Sequence, residues 1–322
     1  MNGPGDPAFA DAAVIVVNYG SSALLAANLT KLTRSATGLV TVVVDNLSTP
    51  DERERLHVLA AAEGWYLVEP PTNLGFGAGV NAGIELAIES GASRFIMLNP
   101  DAELLPDAAA RLLAACATSP TLVAPRILRP DGSVWSNGSD LYLDDGRIRS
   151  RRRRLVGVPA DRIEPWLTGA CLAIGSKLWQ DIGGFSDEYF LYWEDVDLSH
   201  QVVAAGGELL VLDDVTAVHA EGGTQAVGHT ESGQAKSDTY YYYNIRNRLV
   251  FAALRLDQQD EALWQRHTLA VAREILLQGG RRQFLTRPQT LWIAVRAIRD
   301  GRRVAKRIRA CRGSGAASDR SA

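Results

Sequence analysis

A few short polar stretches in this chain carry residue types that could do chemistry. Asn99-Pro100-Asp101 closes the apolar run RFIML at 94–98. Pro100 fixes its own φ and biases Asn99 toward extended backbone, so Asp101 would project a carboxylate beyond a strand end. A hard oxygen ligand there suits Mg²⁺ or Mn²⁺ carrying a diphosphate. Taken alone, the triplet could equally cap the helix that begins near Pro106. Asp45 closes a second apolar run, LVTVVV at 39–44. Its carboxylate could accept the imide N–H of a uracil or thymine ring or bond a ribose hydroxyl, and Asp-Asn is also a common turn pair. Glu194, Asp195 and Asp197 lie beside Tyr189, Phe190, Tyr192 and Trp193. An aromatic wall would desolvate a carboxylate and raise its pKa toward that of a general base. Acids in a first helical turn also serve the helix dipole. His219 ends a short apolar stretch. A lone histidine is more often structural, but with Asp101 it could complete a metal site.

Asn73, Gly75, Gly77, Gly79 and Asn81 form a glycine run of the pattern GxGxG. It lacks the full dinucleotide fingerprint GxGxxG and follows the third strand rather than the first. Glycines here would let backbone approach a ligand closely, with the asparagines as donors and acceptors, or would simply make a tight turn.

The elements that must position these residues alternate. Apolar runs at 13–17, 39–44, 65–68, 94–98 and 121–124 are separated by helical patterns with short connections. The runs are continuous rather than alternating, as in strands covered on both faces. The expectation is an α/β chain: a Rossmann-like, mostly parallel sheet wound by helices, with ligands at the carboxyl ends of its strands. After Pro125 the turn signals at 130–132, 137–138 and 144–146 predict hairpins. Residues 166–174 read as one returning strand, 208–212 and 215–219 as two short strands, and 221–235 as a flexible loop. Helices are expected near 237–256, 259–279 and 288–310. The boundaries that follow are a flexible N-terminus at 1–11, a catalytic domain at 12–256, a basic helical region at 257–312 and a disordered tail at 313–322.

The net charge of −3 argues against a dedicated nucleic-acid binder, and three scattered cysteines form neither a disulfide framework nor a zinc spacing. No signal sequence or membrane span is evident, so a soluble cytoplasmic protein is the default expectation. The charge is segregated, however. Residues 281–312 hold eleven Lys/Arg against the single acid Asp300. Leu291, Trp292, Val295, Ile298, Val304, Ala305 and Ile308 recur there at roughly helical spacing, with Gly301 as a possible bend. Such a helix suits the cytoplasmic face of an anionic membrane, or packs on the domain as a solvated tail.

Together these pieces resemble the family-2 glycosyltransferases of the GT-A fold, particularly their rhamnosyltransferase-like branch. The carrying motifs are VIVVNYG at 14–20, VVVDNLS at 42–48, NLGFGAGVNAGI at 73–84, MLNPDAEL at 97–104, WLTGACLAI at 166–174, GGFSDEYFLYWEDVDLS at 183–199 and AVHAEGGT at 217–224. The resemblance covers about residues 12–250 and implies an inverting transferase using a nucleoside-diphosphate sugar and a divalent metal, Mg or Mn. It implies dTDP-L-rhamnose as donor, with other dTDP- or UDP-sugars behind it, and a glycan or polyprenyl-linked acceptor. By the same resemblance Asn18, Tyr19 and Asp45 contact the nucleoside, and Asn73, Gly75, Asn81 and Asn99 lie on the donor side. Asp101 and His219 hold the metal, with Asn99 standing where the family often has aspartate. Asp195, paired with Glu194, matches the general base; Trp166, Gly169, Ala170 and Trp193 look like an acceptor wall; Arg246 would reach the diphosphate. The competing expectations are an NAD(P)-dependent oxidoreductase on a Rossmann-like sheet and a non-catalytic sugar-nucleotide or glycan-binding module.

Overall fold

A computed structural model describes residues 6–318 apart from 221–235, with side chains through residue 312. The flexible loop expected at 221–235 therefore lies outside the described residues. The first half of the chain is β1 (Ala12–Asn18), α1 (Ser22–Ser35), β2 (Val40–Asp45), α2 (Pro50–Glu63), β3 (Tyr66–Val68), α3 (Phe76–Glu89), β4 (Arg94–Leu98), β5 (Ala102–Leu104), α4 (Pro106–Ala117) and β6 (Thr121–Leu128). Next come β7 (Val134–Ser136), β8 (Ser139–Tyr142), β9 (Ile148–Ser150), β10 (Ile163–Trp166), β11 (Cys171–Gly175), α5 (Ser176–Ile182), α6 (Glu194–Ala204) and β12 (Glu208–His219). The chain closes with α7 (Asp238–Arg255), α8 (Gln258–Leu277), α9 (Gln283–Thr286) and α10 (Gln289–Ser318).

The main sheet runs β3-β2-β1-β4-β11-β6-β12-β5, with β7 added on β6. Its first four strands are parallel, as expected from the strand–helix alternation. β11 then inserts antiparallel between β4 and β6, and β5 pairs antiparallel with β12. The period of two explains how the runs are covered. On β1, Ala12, Val14 and Val16 join Leu25, Leu29 and Leu112 on one face, while Ala13, Ile15 and Val17 join Ile84, Leu172 and Leu198 on the other. Each Val, Leu or Ile side chain so removed from water stabilises the fold by roughly 1.5–3 kcal/mol.

Several local expectations change. The strand read at 166–174 is two strands, because Leu167–Ala170 leave the ladder and turn toward α6. The two short strands at 208–219 are one, β12, whose register on β6 shifts between Leu212 and Thr216. Residues 6–11 do not fray: Phe9 is buried and Asp11 pairs with Arg94. α10 continues to Ser318, into the stretch read as a tail. Gly301 does not bend α10. It lies buried where that helix crosses α7, and a Cβ there would meet the Arg246 carbonyl oxygen at 2.9 Å. A third core cluster joins Leu141, Tyr189, Trp193, Phe251, Trp264 and Ala305, so α8 and α10 share a core with the acidic loop.

Candidate active site

The polar residues gather along the carboxyl edge of the parallel strands. Asn18 and Asp45 end β1 and β2, which are paired there in register. Asn18 accepts from the Ser21 N–H through Oδ1, and its buried Nδ2 has no partner among the described residues. Asp45 is buried; Oδ2 takes the Arg53 guanidinium at 2.5 Å, while Oδ1 has no hydrogen-bond partner among the described residues. A buried acceptor and a buried donor are thus left open side by side, which costs stability unless something binds. Tyr19 is half exposed beside them.

Past β4, the Asn99 N–H bonds the Ala170 carbonyl and the Ala102 N–H bonds the Asn99 carbonyl, so Pro100 sits at a tight corner. Asn28 on α1 holds the Pro100 carbonyl at 3.0 Å. The corner delivers Asp101, whose Oδ1 lies 3.0 Å from His219 Nε2 at the end of β12. Both side chains are almost fully buried, the Asn99 amide is 3.5 Å from the same nitrogen, and the Trp135 ring packs tilted against the imidazole. Sequence reading missed Trp135 and Asn28; an isolated Trp in a hairpin carries no motif.

The acidic loop arrives from the other side. Tyr192 and Trp193 both have left-handed backbone, with φ of 64° and 78°. Only non-glycine residues held by their surroundings stay there. The holder is Asn247 on α7: its buried amide donates to the Leu191 and Tyr192 carbonyls at 2.9 and 2.7 Å. This turn starts α6 and sets the Glu194–Asp195 pair. Asp195 Oδ2 accepts from the Gly169 N–H at 3.0 Å, and Ser199 ties the Asp195 carbonyl to the Leu167 N–H. The Asn99–Asp101 corner and the Asp195 carboxylate are therefore linked through adjacent backbone: Ala170 holds the first, Gly169 the second.

Burial raises both carboxyls, and the two differ. Glu194 is pushed up to about 8, first by desolvation and then by the neighbouring Asp195. Asp195 rises to about 6 by desolvation, offset by the backbone N–H groups of Gly169 and Val196. Glu194 is buried with Oε2 unpartnered, whereas Asp195 is half-buried. The larger rise falls on Glu194, because Asp195 has the Gly169 and Val196 N–H groups to favour its ionised form. Asp197 is different: fully buried, it takes Arg255 of α7 in a bidentate pair at 2.6 and 2.8 Å and fastens α6.

Other expected site residues do other work. Gly75 needs its φ of 84°, and its missing Cβ makes room for the Phe190 carbonyl rather than a ligand. Gly79 packs on Val17. Asn73 accepts from the Gly75 N–H, and Asn81 bonds both the N–H and the carbonyl of Phe185. The run is thus a helix start packed against β1 and the acidic loop, with no open cradle at Gly75 for a dinucleotide. Asn46, quoted only inside a motif, ties β2 to this start through Leu74 N and Gly75 O. Trp193 is buried among Phe251 and Trp264, away from any acceptor wall, while Trp166 is half-buried. Arg246 donates to the Glu188 carbonyl and to Asn247, and lines a cavity of about 280 Å³ with Leu74, Phe190 and Tyr243.

Among the described residues no cluster of three His, Cys, Asp or Glu could hold a metal. Asp101 and His219 nevertheless fit a shared ion. Their carboxylate oxygen and imidazole nitrogen, 3.0 Å apart and buried, are donor types that would suit Mg²⁺ or Mn²⁺.

Residues 13–164 match the family model described as glycosyl transferase family 2. Over 164 residues the chain is 31% identical to an N-acetylglucosaminyl-diphospho-decaprenol L-rhamnosyltransferase of Mycobacterium tuberculosis, covering 44% of this chain and 53% of that one. The chain thus spans about half the length of that relative. It is 23% identical to a low-salt glycan biosynthesis hexosyltransferase of Haloferax volcanii over 74% of this chain and 75% of that one. Its fold is similar to a mannosyltransferase from Pyrobaculum calidifontis solved with GDP-Man and Mn²⁺, at TM-score 0.52 and 16% identity, covering 98% of this chain and 82% of that one.

Proposed function

We propose that the chain is an inverting glycosyltransferase, a reading supported by the match of residues 13–164 to the glycosyl transferase family 2 model. It moves a sugar, L-rhamnose foremost, from a nucleoside-diphosphate donor to a hydroxyl of a glycan or lipid-linked acceptor. One observation carries the reading: the raised, half-buried Asp195 carboxylate is held by Gly169, one residue from the Ala170 carbonyl that anchors the Asn99–Asp101 corner. A base and an anion-handling centre on adjacent backbone are what a single displacement needs.

The open Oδ1 of Asp45 and the open amide of Asn18 would read a uracil or thymine ring. Asp101 and His219 would hold Mg²⁺ or Mn²⁺, which when bound supplies positive charge against the departing diphosphate. Asp195 takes the proton from the acceptor hydroxyl as its oxygen attacks the anomeric carbon from the face opposite the diphosphate. The new C–O bond forms as the bond to the diphosphate breaks, and the anomeric configuration inverts without a covalent enzyme intermediate. The rhamnosyl assignment is supported by the mycobacterial relative.

Nucleoside-diphosphate release across a donor panel tests this reading, with dTDP, UDP and GDP as competitors. The expected order places dTDP-L-rhamnose first and GDP weakest. Equal or tighter GDP binding would overturn the nucleobase assignment, and no release from any sugar nucleotide with any acceptor would overturn transfer itself.

A further inference from the structure

The hydrophobic residues of α10 divide between two partners. Ala294, Ala297, Ile298, Gly301, Ala305 and Ile308 are buried, most of them on α7. Leu291, Trp292 and Val295 are 51, 77 and 58% exposed, and Leu285 on the preceding α9 is 88% exposed. A Trp left this open by a helix that otherwise packs well is an unexplained apolar patch. The basic residues divide in the same way. Arg287, Arg307 and Arg309 pair with Asp238, Glu188 and Glu261. Arg281, Arg282, Arg303 and Lys306 are exposed and make no ion pair with a described residue. Arg296 and Arg299, 71 and 78% exposed, share Asp300 as their one acidic partner among the described residues; Asp300 also accepts from Tyr242, and Arg296 lies over the Tyr242 ring.

On a helix, positions 292, 295, 299, 303 and 306 fall along one face. Trp292 and Val295 therefore continue into Arg299, Arg303 and Lys306 over about 21 Å of axis. We propose that this face of α9 and α10 docks on an anionic lipid surface, with Leu285, Leu291, Trp292 and Val295 at the acyl boundary and the arginines among the headgroups. A second copy of the chain is disfavoured because it would set two positive faces against each other. Nucleic acid would leave three aliphatic side chains without a role. The inference is independent of the transfer reading, since it rests on no residue of the site.

Co-sedimentation of the full chain with vesicles of phosphatidylcholine, with and without phosphatidylglycerol, tests it at low and high salt. The expected result is binding only to the anionic vesicles, weakened by salt. Trp292→Ser with Val295→Ser should lower the partition constant at least tenfold. Arg299→Glu with Arg303→Glu should lower it further, at roughly fivefold for each charge removed. All four positions face solvent, so circular dichroism should be unchanged in both variants. No sedimentation of the wild type with anionic vesicles at low salt would overturn the proposal, as would equal binding by both variants. Self-association or oligonucleotide binding lost in these variants, without vesicle binding, would assign the face to another partner.

Discussion

Asn247→Ala removes one amide, including the oxygen that Arg246 donates to, and leaves Glu194 and Asp195 themselves unchanged. The structure gives the size of the effect. The Asn247 Nδ2 group satisfies the Leu191 and Tyr192 carbonyls at 2.9 and 2.7 Å from a fully buried position. Loss of a donor to a buried acceptor costs roughly 1–3 kcal/mol, so two losses amount to roughly 2–6 kcal/mol. The turn they hold is strained, with left-handed Tyr192 and Trp193 each costing roughly 1–2 kcal/mol. Without the clamp this strain is released by rotating the turn, and Glu194 and Asp195 move with it. A shift of about 2.7 kcal/mol against the productive geometry is about a hundredfold in rate. Steady-state kinetics should therefore show kcat down about a hundredfold and donor Kd within about threefold, because Asn18 and Asp45 are held by Ser21 and Arg53 rather than by the turn. Asn247→Asp, which keeps the shape but loses the donors, should be equally impaired. Adding Tyr192→Gly to Asn247→Ala should recover part of kcat, since glycine adopts positive φ without penalty. With kcat taken per folded molecule, from the folded fraction in thermal melts, a merely destabilised fold would show no loss to recover. Wild-type kcat in Asn247→Ala, or no recovery with glycine while the fold is intact, would refute the clamp.

Two further outcomes follow from the site. Chelator should silence transfer and Mn²⁺ or Mg²⁺ should restore it, whereas Asp101→Ala should lose calorimetric binding of Mn²⁺ in the presence of the nucleoside diphosphate; full activity in exhaustive chelator would remove the metal. Glu194→Gln should raise the melting temperature more at pH 8 than at pH 5. A carboxyl whose folded pKa lies above its ordinary value of 4.5, here about 8, favours folding while protonated and loses that contribution as pH rises between the two. A pH-independent difference would contradict that.

Much of the sheet was legible because β1, β2, β4 and β6 are covered on both faces and read as uninterrupted apolar runs. Direction was not: β11 has the same texture as its parallel neighbours, and only the long hairpin excursion before it turns the chain around. The break at 167–170 was hidden because Leu167 and Ala170 are as apolar as the flanking strands. The glycine run shows a different limit. A missing Cβ serves close packing on Val17 or the Phe190 carbonyl as well as it serves a ligand, and sequence cannot tell which atom fills the space. Trp193 read as part of an acceptor wall, yet the left-handed turn carries it into the core. The role of Asn247 was not legible for a plainer reason: its partners are 55 and 56 residues away. The imperfect stripe on α10 is what a helix shows when one face answers to α7 and another to solvent.

The central claim is that Asp195 is the base of a direct displacement, and Asp195→Asn tests it most directly. The substitution keeps the side chain's size and its oxygen for the Gly169 N–H but cannot take a proton. Transfer should fall by roughly 10²–10⁴ while donor affinity stays near wild type. In the wild-type enzyme kcat/KM should rise with pH through about 6, where burial has placed this carboxyl. Near wild-type transfer by Asp195→Asn, with the same pH dependence, would contradict the account.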